Sequence, residues 1–207
     1  MFFSAFKKGN FVLYNQQGHF PPTQLHVLPK VEADFALSVG FGDLDKDGLL
    51  EIALGNYVTQ EHRRTTDRSR NVLLRPSFLG YQAELLPDPP GAKLLILFSD
   101  LNMDGDMDII FANDFGVPDS LFFGNGSGEL NLVMREHNLS LKSGSTSMSY
   151  DSADINNDLS LELFLTQTTG NKPSQRARLN LKPNEKACKE ISSNKWRQHC
   201  ELRANLH

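Results

Sequence analysis

Three nonapeptides of one design constrain this 207-residue chain more than any other feature. They are Asp43-Leu44-Asp45-Lys46-Asp47-Gly48-Leu49-Leu50-Glu51, Asp100-Leu101-Asn102-Met103-Asp104-Gly105-Asp106-Met107-Asp108 and Asp154-Ile155-Asn156-Asn157-Asp158-Leu159-Ser160-Leu161-Glu162. Carboxylates or amides stand at positions 1, 3, 5 and 9, and position 7 can offer its backbone carbonyl. Such an oxygen set suits a hard cation, since Ca²⁺ takes roughly six to eight oxygens and tolerates irregular geometry. Each loop also packs several negative charges into a few residues, which repel one another unless a counter-ion sits among them.

The loops recur at a fixed period: Asp43 to Asp100 is 57 residues and Asp100 to Asp154 is 54. Periods of this size belong to solenoids, propellers and arrays. A second phrase repeats in phase with the first. Asn10–Phe20 is similar to Ser120–Leu130, and Asn71–Tyr81 is a more worn copy. Each reads as a short apolar strand, an Asn/Gly/Ser turn and a return, the pattern of a β-hairpin. After the second loop Met107, Ile109 and Phe111 alternate with Asp108, Ile110 and Ala112. Leu161, Leu163 and Leu165 do the same after the third. Period two with aliphatic enrichment predicts strands. Ile52–Asn56 is the matching piece of the first unit, and apolar runs at 36–41 and 93–98 precede the first two loops. One unit is therefore strand, acidic loop, strand and hairpin. Four strands at this period make a propeller blade.

The same pattern excludes an EF-hand, which requires flanking helices and a bidentate Glu at position 12. Position 12 is Leu54, Phe111 or Leu165 here. The ninth residue must close the cage instead.

An Asp-x-Asp/Asn-x-Asp-Gly-x-x-Asp/Glu loop, an aliphatic strand and an Asn-x-Leu-aromatic-x-Asn-x-x-Gly hairpin together resemble the FG-GAP/VCBS repeat family. The resemblance covers about residues 10–170 and is nearest to the cartilage-acidic-protein and ASPIC/UnbV-like branch. That family supplies the β-propeller heads of integrin α-subunits and parts of many bacterial secreted or surface proteins. It implies an all-β fold of about three four-stranded blades in a partial propeller, with Ca²⁺ held between two strands of a blade. Matched position by position, the implied ligands of the first loop are Asp43, Asp45, Asp47, the Leu49 carbonyl and Glu51. Those of the second are Asp100, Asn102, Asp104, the Asp106 carbonyl and Asp108. Those of the third are Asp154, Asn156, Asp158, the Ser160 carbonyl and Glu162. Leu159 replaces the turn glycine of the other two copies, where a positive φ costs a branched residue about 1 kcal/mol or more. The third site is expected to be the weakest, or empty.

The net charge of −4 divides unevenly, with nine Lys or Arg against three Asp or Glu from Asn171 onward, and twelve against twenty-two before it. Two regions are therefore expected, a repeat segment over 1–170 and a basic tail over 171–207. Asn184 and Ser193 or Asn194 read as N-caps of two short tail helices that could bring Cys188 and Cys200 together. A disulfide there and two free thiols are both open readings. The N-terminus does not have the form of a secretory signal, because Lys7 and Lys8 follow a very short apolar stretch. Either the chain is cytosolic or Met1 is not the start of the full protein. No apolar run approaches the roughly 20 residues of a membrane-spanning helix.

Little points to catalysis. Ser127 lacks the flanking glycines of a nucleophile elbow, and no His-Glu-x-x-His zinc helix occurs. The basic stretch 61–70 lacks interleaved aromatics and reads as a solvated loop, so no nucleic-acid partner is expected. Asn125-Gly126-Ser127 and Asn138-Leu139-Ser140 match glycosylation acceptors, a pattern common by chance. The expected function is a Ca²⁺-loaded, non-enzymatic interaction or adhesion scaffold, extracellular, on a cell surface or periplasmic, with a protein or glycan ligand. The alternatives are an accessory propeller of a larger secreted enzyme and a lectin-like carbohydrate binder. Three units with partial ends fall short of the roughly four to eight blades that close a ring. The chain is thus expected to be a fragment, or to need the rest of the propeller or another chain.

Overall fold

The computed structural model describes residues 1–5, 8–29, 35–57, 69–114, 117–133 and 146–167, together with the backbone of 200–202. These form four antiparallel sheets, as the all-β reading expects. The first contains β1 (Phe2–Ala5), β2 (Gly9–Leu13) and β3 (Leu25–Val27). The second is the meander β4 (Ala36–Gly42), β5 (Glu51–Asn56), β6 (Val72–Ser77) and β7 (Gly80–Leu85). The third repeats it as β8 (Ala92–Ser99), β9 (Asp108–Asp114), β10 (Ser120–Gly124) and β11 (Leu130–Leu132). The fourth contains β12 (Ser147–Ala153), β13 (Glu162–Gln167) and β14 (Cys200–Leu202).

The repeat is exact at the level of register. Gly42 pairs with Glu51, Ser99 with Asp108 and Ala153 with Glu162, so each acidic loop is closed by the same pair of positions. Each first strand also carries an irregularity at the same place, between Ala36 and Ser38, Lys93 and Leu95, and Ser147 and Ser149.

Both faces of the middle strands are buried, which accounts for their nearly unbroken apolar runs. Ile52 and Leu54 of β5, with Val72 and Leu74 of β6, pack toward Val12 of the first sheet and Leu28 just past its last strand. The alternate residues Ala53 and Leu73 pack toward Ile109, Phe111 and Phe122 of the third. Ile110, Ala112 and Leu121 then meet Tyr150, Leu163 and Leu165 of the fourth. Side chains of a strand alternate between faces, so each middle strand serves two interfaces at once. Full burial of one such aliphatic side chain stabilises by about 1.5–3 kcal/mol. The first strands of neighbouring sheets approach closely: a Cβ on Gly42 of β4 would collide with the Phe98 ring of β8. Ser99 and Ser152 share a hydrogen bond of 2.9 Å between β8 and β12. Sheets stacked face to face with their first strands adjacent are consistent with propeller blades.

Polar clasps tie the sheets at the end opposite the acidic loops. Lys93 is fully buried, 3.3 Å from Asp88 Oδ2, and donates to the Pro89 carbonyl. Asp88 Oδ2 also accepts from Asn71 Nδ2 of the second sheet and Ser120 Oγ of the third. Burial holds the Lys93 ammonium below the usual lysine range, with Asp88 opposing that shift. Asp119 accepts from Ser147 Oγ and from the Tyr150 hydroxyl, linking the third sheet to the fourth.

Three features depart from the sequence reading. The turn after β2 forms, with Gln16 bridged to His19, but the returning strand starts only at Leu25. Pro21 and Pro22 intervene and cannot donate to a ladder. Phe2–Ala5, noted only for lacking a signal sequence, is a strand paired with β2. The tail read as helical is described only at Cys200–Leu202, and there it is a strand on the open edge of β13. An unpaired edge offers a ready ladder of N–H and C=O groups. This pairing carries the fourth sheet across the 170/171 boundary drawn from charge. The rest of the tail, including Cys188, lies outside the described residues.

The buried pair generates a prediction. Lys93→Met leaves the Asp88 carboxylate buried without its counter-charge and should destabilise by about 3–5 kcal/mol in urea unfolding. Lys93→Met combined with Asp88→Asn should recover part of that loss. A single-variant cost below about 1 kcal/mol would contradict the role given to the pair.

Candidate metal centre

The acidic loops join the first two strands of the second, third and fourth sheets, and their backbones share one hydrogen-bonded skeleton. The amide of position 6 donates to the position 1 carboxylate: Gly48 to Asp43 at 3.0 Å, Gly105 to Asp100 at 2.9 Å and Leu159 to Asp154 at 2.9 Å. The amide of position 7 donates to position 5: Leu49 to Asp47, Asp106 to Asp104 and Ser160 to Asp158. The amide of position 2 donates to position 9: Leu44 to Glu51 at 2.8 Å, Leu101 to Asp108 at 2.7 Å and Ile155 to Glu162 at 2.9 Å. These bonds curl the chain around its own carboxylates. An ionised carboxylate has about four lone-pair sites, so accepting one N–H leaves capacity for a cation.

Two backbone positions per loop take a left-handed conformation. Position 6 has φ +86° at Gly48 and Gly105 and +67° at Leu159. The leucine thus adopts the turn the glycines adopt, and its side chain is 84% exposed, with no packing to offset the strain. Position 4 is left-handed as well, at Lys46 (+61°), Met103 (+62°) and Asn157 (+57°). Only the asparagine hints at this in sequence, because Lys and Met carry no preference for such a turn.

Position 9 opens the second strand of each unit and is buried: Glu51 and Glu162 at 2% exposure and Asp108 at 0%. Burial pushes the Glu51 carboxyl above the usual range, partly offset by the Leu44 amide. Burial likewise raises Asp108 to about 6, although the amides of Gly124, Leu101 and Asn102 pull it down. A carboxylate kept from water in this way is most stable as an anion beside a positive charge.

The three loops differ in what they bring together. In the first, carboxylate oxygens of Asp43, Asp45 and Glu51 lie within 4.8 Å of one another, a small acidic cluster that could hold a metal ion. Asp43 Oδ1 is buried and takes no hydrogen bond among the described residues. Asp47 caps the Leu49 amide at the exposed lip, and the Tyr81 hydroxyl anchors the loop through the Leu50 carbonyl at 3.2 Å. In the second, Asn102 stands at position 3 and its Nδ2 donates to Asp104 Oδ2 at 2.8 Å. In the third, Asn156 Nδ2 donates to Glu162 Oε1 at 2.7 Å. An asparagine amide there supplies a neutral donor where the first loop has a third carboxylate. The Asp106 side chain points away from its own loop to Lys46.

Residues 100–165 match the family model described as an FG-GAP-like repeat. The match starts at Asp100, spans the second and third acidic loops and ends in β13. No curated protein matches the chain. Residues 100–165 therefore resemble an FG-GAP-like repeat, and the preceding sheet repeats the same strand order, register and loop.

Relief of the strained leucine is testable. Leu159→Gly should stabilise the metal-free protein by about 0.5–1 kcal/mol in equilibrium unfolding, the left-handed penalty less the added freedom of the unfolded chain. A loss of stability would contradict the strain argument.

Proposed function

We propose that this chain is a Ca²⁺-binding β-propeller-type repeat module that acts as a non-enzymatic interaction scaffold. One observation carries the metal reading: three carboxylates of the first loop converge within 4.8 Å, and Asp43 Oδ1 among them is buried without a hydrogen bond. Oxygen-only donors with no His or Cys in the loop favour Ca²⁺ over Zn²⁺ or Cu²⁺. Asp43, Asp45, Asp47 and Glu51, with the Leu49 carbonyl, would hold the first ion, and the corresponding oxygens of the second loop a second one. The ion would join the two strands of the hairpin and neutralise the buried position 9 carboxylate. Its role is structural, and the surface it stiffens is the one offered to a protein or glycan ligand. Placement outside the cytoplasm follows from the family resemblance and suits sites of modest affinity, since extracellular Ca²⁺ modules work with Kd near 10⁻⁴–10⁻³ M.

Calorimetric titration with Ca²⁺ tests the assignment. The wild-type chain should take up two ions more tightly than any third. Asp43→Asn combined with Glu51→Gln should remove one of the two and leave the other. No uptake of Ca²⁺ by the folded wild-type protein would overturn the proposal.

A further inference from the structure

The first two loops touch each other across the boundary between sheets, and the contact is a charge pair. Lys46, at position 4 of the first loop, sends its ammonium to Asp106 of the second loop, with Nζ 2.6 Å from Oδ1. The left-handed backbone of Lys46 aims the side chain out of its own loop. The β10–β11 turn is wedged into the same junction. Its Gly126 lies against the Asp106 carboxylate, and its Gly128 lies against Asp45 of the first loop. Beyond Asp106, the charges of Asp104 and Asp100 also bear on the Lys46 ammonium. The last two are expected metal ligands of the second loop. The corresponding residues of the other loops, Met103 and Asn157, carry no charge.

We propose that Lys46 is a tethered counter-cation that lowers the Ca²⁺ affinity of the second loop. The inference rests on the Ca²⁺ reading above and adds to it a charge that restrains the second loop. The physical basis is repulsion. A cation entering among Asp100, Asp104 and Asp108 meets a positive charge already seated on the outer side of that loop. The pair itself is exposed on its lysine side and adds little to folding stability. Its effect falls on binding, where a like charge held next to a divalent-ion site weakens affinity by about three- to tenfold in dilute salt.

The amides of Gly48 and Gly105 each donate to the position 1 carboxylate of their own loop, so their NMR signals report the two loops separately. Ca²⁺ titration of the full chain at low ionic strength should shift both signals, each reporting the midpoint of its own loop. Lys46→Met should tighten the Gly105 transition by about three- to tenfold, and by more than it tightens the Gly48 transition. Lys46→Arg, which keeps the charge, should behave as wild type. The difference between Lys46→Met and wild type should shrink near 1 M salt, where the screening length is about 3 Å. An unchanged or weaker Gly105 transition in Lys46→Met would overturn the inference while leaving Ca²⁺ binding intact. Wild-type protein in which neither glycine responds would overturn the Ca²⁺ reading itself, and this inference with it.

Discussion

A carboxylate buried at the first residue of the second strand is the constraint around which each unit is organised. Glu51, Asp108 and Glu162 are shielded from water, and each accepts the amide of the second loop residue. That bond closes the acidic loop on its own hairpin and fixes the pairing of Gly42, Ser99 and Ala153 across from it. The register so fixed decides which residues of β5, β9 and β13 face the preceding sheet and which face the next. A slip of one residue would exchange the two apolar faces and undo both interfaces. Charge at the loop and packing between sheets are thus one problem, because the same strand carries both.

Burying an anion is costly unless something compensates it. Backbone amides compensate in part, three of them at Asp108, yet burial outweighs them and pushes its carboxyl up to about 6. The opposite end of the sheets answers the same problem differently. There Asp88 is buried with Lys93, and Asn71 and Ser120 also donate to its Oδ2. One end thus carries its own buried cation, whereas the loop end gathers acidic groups and has Lys46 beside the second loop and Arg75 beside the first. The proposed divalent ion would answer it at the first loop, where Asp43 Oδ1 takes no hydrogen bond among the described residues.

Much of this was readable from the chain because it repeats. The spacing of Asp43, Asp100 and Asp154, and the alternation of Ile109 and Phe111 with Ile110 and Ala112, depend on local pattern, and local pattern survives in sequence. What was hidden depends on distant partners. The irregularities after Ala36, Lys93 and Ser147 exist only in relation to the paired strand. The Asp88–Lys93 clasp needs Asn71 and Ser120 from two different sheets. Cys200–Leu202 pairs with β13 from more than thirty residues away, where cap residues had suggested helix. In the loops, sequence correctly marked Leu159 as the misfit, and the structure places it at φ +67°. It did not distinguish Asp45 from Asn102 and Asn156 as strongly as geometry does: the carboxylate completes a cluster, and the amides donate to one.

The central claim is that a divalent cation bound in the acidic loops holds the hairpins, and through them the sheets, in place. Thermal unfolding of the full chain in excess Ca²⁺ and in excess chelator tests it most directly. Binding at about a hundredfold excess over Kd adds about 2.7 kcal/mol per site. For a chain of this size the midpoint should rise by about 5–10 °C for each filled loop. Equal midpoints in Ca²⁺ and chelator would contradict the account.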